Sequence, residues 1–211
     1  MITKEKIAQE VITASKGGQI TSYRKLDPRE VYEVIEKARN ALMQGVLDSG
    51  GVLDGEFITQ FKNVPILNDM STHQKYSIVP TRLVSFSDRE SIQQVSSMKN
   101  QRDPFIRIYN GALGTYGSLE AGKISGKVGY YIERVKVGTD QSLRIYYVNC
   151  PFQYKDVMIK MIASTYDFDE DEALPIPAGF EQQLVAMVYQ ELGIQLSTPL
   201  DLKNDVQPPT Q

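Results

Sequence analysis

A strongly alternating hairpin in the second half of the chain limits what it can fold into. Tyr130 to Val137 (YYIERVKV) alternates aromatic or β-branched residues with charged ones, and Leu143 to Val148 (LRIYYV) answers it. Between them Gly138-Thr139-Asp140-Gln141-Ser142 supplies turn chemistry: glycine tolerates positive φ, and Asp and Ser hydrogen-bond to nearby backbone. The polar positions of the two strands are Glu, Arg and Lys, residues of a solvated or partner-facing side rather than a catalytic set. The hairpin closes a longer block, Phe105 to Cys150, with helical segments before and after it. The expected fold is therefore α+β. N-terminal and C-terminal helices pack together around a central antiparallel β-rich insertion, residues 55–150, and a flexible C-terminal tail follows.

The helices are read from capping and periodicity. Thr3 caps a short amphipathic helix, 3–16, with Ile7, Val11 and Ala14 on one face and Gly17-Gly18 after it. Asp27-Pro28-Arg29-Glu30 is a start signal for a second helix, 27–49: Asp caps, and Pro occupies the first turn, where no amide donor is needed. Val31, Val34, Ile35, Ala38, Leu42 and Val46 form its apolar stripe, and Glu33, Glu36, Lys37 and Arg39 its solvated face. Lys155 to Ser164 (KDVMIKMIAS) reads as a helix with Val157, Met158, Met161 and Ile162 on one side. The last helix, 178–192, follows the extended Leu174-Pro175-Ile176-Pro177, and Gly193 can close it.

The β-block begins at Gly55, where the period changes to two (GEFITQFKNVPIL). Short strands are expected at Tyr76–Pro80, Leu83–Phe86 and Ile92–Val95, with Asn63 to Lys75 a polar connection. Residues 1–197 are read as a single domain and 198–211 as a tail. The tail, ending in Pro208-Pro209, has little core-forming power and is expected to order only against a neighbour.

Several functions lose support on composition. The net charge of −3 gives no general basic surface for nucleic acid. The one cysteine, Cys150, cannot form an internal disulfide. No apolar run approaches the ~20 residues needed to cross a bilayer, and the start, MITKEKIAQE, lacks the apolar core of a signal peptide.

Three patterns could carry chemistry. Gly117 to Lys123 (GSLEAGK) resembles the start of a phosphate-binding loop. However, Ile124 stands where Ser or Thr should hold magnesium, and a strand follows instead of a helix. Asp167, Asp169 and Asp171 have the spacing that opens a calcium loop. Glu172 replaces the required glycine and Ala178 the bidentate acid, which favours a solvated acidic turn. His73, the single histidine, has Asp69 as its only obvious nearby partner. No Ser/His/Asp or Cys/His set is supported by spacing, and Cys150 reads as a small buried residue. The reading is a protein that is not an enzyme, with no catalytic, cofactor-binding or metal residues and no cofactor.

Taken in order, several segments resemble the ring proteins of tailed-bacteriophage necks, the head-to-tail adaptor or tail-tube gatekeeper type, and in particular those of short-tailed, crAss-like phages. They are ITKEKIAQEVI, DPREVYEVIEKARNALM, GEFITQFKNVPIL, YSIVPTRLVSF with IQQVSSMK, the hairpin VGYYIERVKV…LRIYYV, and ALPIPAGFEQQLVAMVYQELG. Together they cover residues 1–197 as one adaptor-like domain; none is diagnostic alone. The resemblance implies a virion structural protein that forms a homo-oligomeric, twelvefold ring in the portal–tail connector. It is made in the host cytoplasm and carried in the virion neck or tail. Its implied partners are further copies of itself, the portal protein and neighbouring ring proteins. Genomic DNA passes through without specific binding, and no membrane is involved. The alternative from the residues themselves is a small β-rich protein- or ligand-binding module without catalysis.

Overall fold

The computed structural model describes residues 2–17, 26–70, 72–84, 91–109, 112, 127–137 and 139–194. The chain is α+β, and its contacts divide it into two compact units. A helical unit combines Met1–Phe57 with Phe168–Gln211, and a β unit comprises Ile58–Asp167.

The helical unit contains α1 (Lys4–Gly17), α2 (Pro28–Asp48) and α3 (Glu181–Glu191). Thr3 Oγ1 accepts from the Lys6 amide at 3.1 Å, and the Asp27 carboxylate accepts from the Arg29 amide at 2.9 Å. Both accept from amides that lack an intrahelical partner. At the far end of α3, Gly193 takes φ 65°, and Ile194 donates to the Tyr189 carbonyl while Gly193 donates to that of Gln190. These two bonds form a Schellman closure, which favours glycine at the left-handed position. Ile7, Val11, Val31, Ile35, Met43, Leu184 and Val188 are all fully buried. Segments from before and after the β unit meet here: Leu174 donates to the Ile2 carbonyl at 2.9 Å, and the Phe57 and Phe180 rings lie 5.7 Å apart.

The expected solvated face of α2 is only partly solvated. Glu33 and Lys37 are exposed, but Glu36 and Arg39 are buried. Arg39 reaches the Pro175 carbonyl with Nη2 at 3.5 Å. Burial pushes its guanidinium down to about 10, with the Glu36 carboxylate opposing. A helical wheel places Arg39 beside the apolar stripe but does not show that the Leu174–Pro177 segment closes over it.

The β unit has eight strands among its described residues: β1 (Thr59–Pro65), β2 (Leu67–Asn68), β3 (Lys75–Ile78), β4 (Ile92–Ser97), β5 (Ile106–Arg107), β6 (Gly129–Val137), β7 (Asp140–Val148) and β8 (Asp156–Met161). A three-stranded sheet has the order β1-β8-β4 and a five-stranded sheet the order β2-β3-β7-β6-β5. Val95, Ile145, Val157, Ile159 and Met161, all fully buried, join Tyr130 and Tyr147 in one core cluster drawn from both sheets. Phe105 sits edge-on to Tyr147 at 5.9 Å and stacks on Tyr154.

β8 corrects the expected helix over 155–164. Asp156–Met161 is the central strand of the three-stranded sheet, with β1 and β4 antiparallel on either side. Val157, Met158, Ile159 and Met161 are all buried, so both faces of the strand are covered and its sequence does not alternate. Without alternation, the apolar positions fall by chance at helical spacing. Smaller differences follow from local chemistry. Gly55–Phe57 is a short 3-10 turn, so the first strand starts at Thr59. Asn63 takes φ 57° at a bulge in β1, a conformation asparagine tolerates. The connection expected from Asn63 to Lys75 contains the end of β1 and all of β2. In the strand expected at 83–86, Leu83 makes a single bridge to Ala163, and residues 85–90 lie outside the described residues.

Candidate functional site

The residues with special chemistry in the sequence do not converge. His73 sits in the turn before β3 with φ 55°, and its amide donates to the Asp69 carbonyl at 2.9 Å. The Asp69 carboxylate lies 3.6 Å from the Arg144 guanidinium. Cys150 is half-buried. Burial pushes its thiol up, with the Lys75 ammonium opposing, which favours the unreactive protonated form.

Asp167 and Asp169 make separate local contacts. The Asp167 carboxylate accepts from the Thr81 hydroxyl and from the Arg82 amide, which ties it to the chain after β3. The Asp169 amide donates to the Glu172 carboxylate at 3.2 Å, closing a tight acidic turn. Among the described residues no group of three or more His, Cys, Asp or Glu could hold a metal ion. Gly117 to Lys123, with Ile124 and Ser125, and the tail 198–211 lie outside the described residues.

The register of the hairpin accounts for the two aromatic faces of the five-stranded sheet. Tyr130 stands opposite Tyr147, and Tyr131 opposite Tyr146. Side chains alternate across a strand, so one pair faces the shared core and the other the opposite side. On that opposite side Tyr131 and Tyr146 stack at 5.3 Å, and Tyr76 approaches Tyr146 at 5.8 Å. The Tyr131 hydroxyl donates to Gln74 Oε1 at 2.8 Å. Burial, then the Glu133 charge, raises its phenol above the ordinary range, with Gln74 opposing. Arg144 lies 4.4 Å from the Tyr76 ring centre and donates from Nε to the Ser142 hydroxyl at 3.2 Å.

Two surface features stand out on the β unit. The first is an open groove of about 840 Å³ between the Ile78–Leu83 segment and the outer part of the hairpin; Arg82, Arg134, Gln141 and Leu143 are among its lining residues. The second is the outer part of the hairpin. β3 pairs with β7 only from Arg144 to Tyr147, and β5 pairs with β6 only at Gly129 and Tyr130. The β6–β7 ladder runs on through Arg134↔Leu143, Val135↔Ser142 and Lys136↔Gln141 to Val137↔Asp140. Beyond Leu143 the ribbon has no third strand among the described residues. Arg134, Lys136 and Gln141 lie on one face of the ribbon and are exposed. The alternation of the sequence predicts the hairpin, and the register shows that its ladder runs past the described strand pairings on either side.

The helical unit has its own groove of about 350 Å³ along α1 and α3, with Ile2, Val185 and Tyr189 as its apolar lining and Glu10, Glu181 and Lys6 as its charged lining. The Tyr189 hydroxyl donates to the Glu10 carboxylate at 3.4 Å, and burial, then that carboxylate, raises the phenol above the ordinary range.

The two units also differ in charge. Residues 58–167 contain fourteen Lys and Arg against nine Asp and Glu, a net of +5. The remaining residues contain nine against seventeen, a net of −8. The whole-chain charge of −3 hides this division. No family model matches the chain, and no curated protein matches it.

Proposed function

We propose that this chain is a virion structural protein, a subunit of a ring in the portal–tail connector of a tailed bacteriophage, and that it catalyses no reaction. The ring extends the DNA channel and joins head to tail, with twelvefold symmetry matching a portal. The observation that carries the reading is the layout of the chain. Segments from before and after the β unit make one helical unit, and the β unit carries a long two-stranded hairpin. The order of the segments that resemble neck ring proteins runs through both units. Interaction surface rather than a reaction centre is what these features supply, since the polar residues flagged by sequence are tied into turns and sheet edges.

The test is negative-stain electron microscopy of the purified protein, alone and with a portal protein from the same genome. Annular particles with an open centre, averaging to twelve subunits, are the expected result. Monomers under both conditions would reject the reading. The groove of about 840 Å³ favours a second reading, a β-rich module that binds a peptide or small ligand without catalysis. On that reading the protein stays monomeric with or without the portal.

A further inference from the structure

We propose that the open groove between the Ile78–Leu83 segment and the outer part of the hairpin binds an extended acidic peptide, through Arg82, Arg134 and the backbone edge of Gln141. The inference goes beyond the ring reading: the site lies within one copy, and its test reads peptide binding whether or not rings form.

The first support is the place where β3 leaves β7. The two strands pair from Lys75↔Tyr147 to Ile78↔Arg144, and the Val79 amide adds a bond to the Leu143 carbonyl at 2.9 Å. Pro80 follows and has no amide to donate, so the ladder stops there. The chain goes elsewhere, and Leu83 bridges to Ala163. β7 itself runs out to Asp140. Alternate residues of a strand present their N–H and C=O to the same side, so the Gln141 backbone faces the way that of Leu143 does. Among the described residues no strand pairs with Gln141 on that side. Gln141 lines the groove, so one donor and one acceptor of a sheet edge stand beside it. Such edges take extended peptides.

The second support is charge. Arg82 and Arg134 line the groove and are exposed, and the one carboxylate of the lining is that of Asp167. This carboxylate is already held by the Thr81 hydroxyl and by the Arg82 amide at 3.1 Å. The Arg82 guanidinium lies 5.8 Å from the Tyr166 ring centre. Contact with a ring leaves the planar N–H fork available to a carboxylate. The net charge of +5 on the β unit attracts an acidic ligand from further away.

The third support is the lining itself. All of it belongs to described residues of the β unit, and the volume of about 840 Å³ is that of a ligand site. Ile78, 47% exposed, and Leu143 add apolar surface to the two cations. A peptide that carries both acidic and apolar side chains matches a wall of this kind.

Fluorescence anisotropy with the full chain tests the site. The probe is a fluorescein-labelled heptapeptide of alternating Glu and Val, and the control alternates Lys and Val. The acidic peptide is expected to bind saturably and the basic one not at all. Arg82→Glu with Arg134→Glu is expected to weaken binding by roughly tenfold or more, because like charges then face each other. Circular dichroism checks folding, and Arg82→Gln with Arg134→Gln carries the same test if the reversal unfolds the chain. Bound peptide is expected to slow hydrogen exchange at the Gln141 amide, which attraction by charge alone would not do. Loss of binding in a folded arginine variant, together with slowed exchange at Gln141, would support the site. No saturable binding of the acidic peptide, equal binding of the basic one, or binding unchanged by either arginine pair would overturn it. Displacement of the peptide by a single-stranded oligonucleotide of equal charge, at equal or lower concentration, would also overturn it, since the groove would then select charge and not a peptide.

Discussion

The helical unit is built from two segments distant in sequence, whereas the β unit closes within one continuous stretch, Ile58–Asp167. The first depends on a few long helices and on the Leu174–Pro177 segment that covers Arg39. The second depends on strand pairs distant in sequence, with β8 placed between β1 and β4. The difference separates two kinds of sequence signal. Helix capping is local and survives without knowledge of neighbours. A central strand is defined by its neighbours, and its own residues say little about its state. The same division appears in charge: the residues of the helical unit are net acidic and those of the inserted unit net basic.

The sharpest way to break this comparison is to open one core and ask whether the other notices. Ile159 is fully buried in the core cluster drawn from both sheets. Ile159→Ala is expected to cost about 2–5 kcal/mol, the lost burial plus the cavity left behind. Hydrogen exchange measured along the chain should show lost protection across 58–167 and little change in α2. Equal loss in both units would mean that they unfold as one block, and the division into two cores would have no thermodynamic meaning.

How much was legible depends on where the information lies. The start of α2 was readable because Asp27 and Pro28 act on the adjacent turn, and its end because the chain turns at Gly50, with φ 78°. The hairpin was readable because alternation over nine residues has one simple reading. Lys155 to Ser164 was not, since a strand buried on both faces has no period of its own. Arg39 was misplaced because burial of a charged residue depends on which segment covers it. The charge division was present in the sequence all along. It becomes visible only once the boundaries at Phe57 and Asp167 are known, and those are set by long-range pairing. No spacing argument assembled a reaction centre, and the structure keeps His73, Cys150 and Asp167 engaged in separate local roles.

A smaller change sharpens the comparison from the helical side. Asp27→Ala removes the acceptor for the Arg29 amide at the start of α2. The expected loss is about 1 kcal/mol, from one unpaired donor at a partly exposed end. It should lower the urea midpoint slightly and reduce protection in the first turn of α2, with the β unit unaffected. Replacement by Ser should recover most of the loss. If Ser and Ala behave alike, the side-chain cap contributes nothing and the start of α2 is held by packing alone.

The smallest effect at neutral pH, and the one most specific to the β unit, is expected for Tyr147→Phe. The Tyr147 ring is buried against Phe105, and its hydroxyl meets no hydrogen-bond partner of good geometry. Removing that hydroxyl should therefore change stability little near pH 7. Alkaline conditions are different. Burial raises the Tyr147 phenol well above its ordinary 10.0, with the Ser77 hydroxyl opposing. Unfolded chains lose that proton near 10.0, while the folded chain keeps it, so stability from this group is intact below that pH and falls as pH rises past it. Arg39 acts in the opposite sense in the helical unit. Its folded guanidinium, lowered to about 10 from 12.5, holds fewer protons than the unfolded chain between those values, so its contribution rises with pH there. Tyr32 and Tyr189, both raised by burial, offset that gain. Melting temperature followed across the alkaline range should fall less steeply for Tyr147→Phe than for wild type. A spectrophotometric tyrosine titration should show one fewer phenol that ionises only on unfolding. Superimposable alkaline curves would mean that Tyr147 is not the buried phenol whose ionisation opens the β unit.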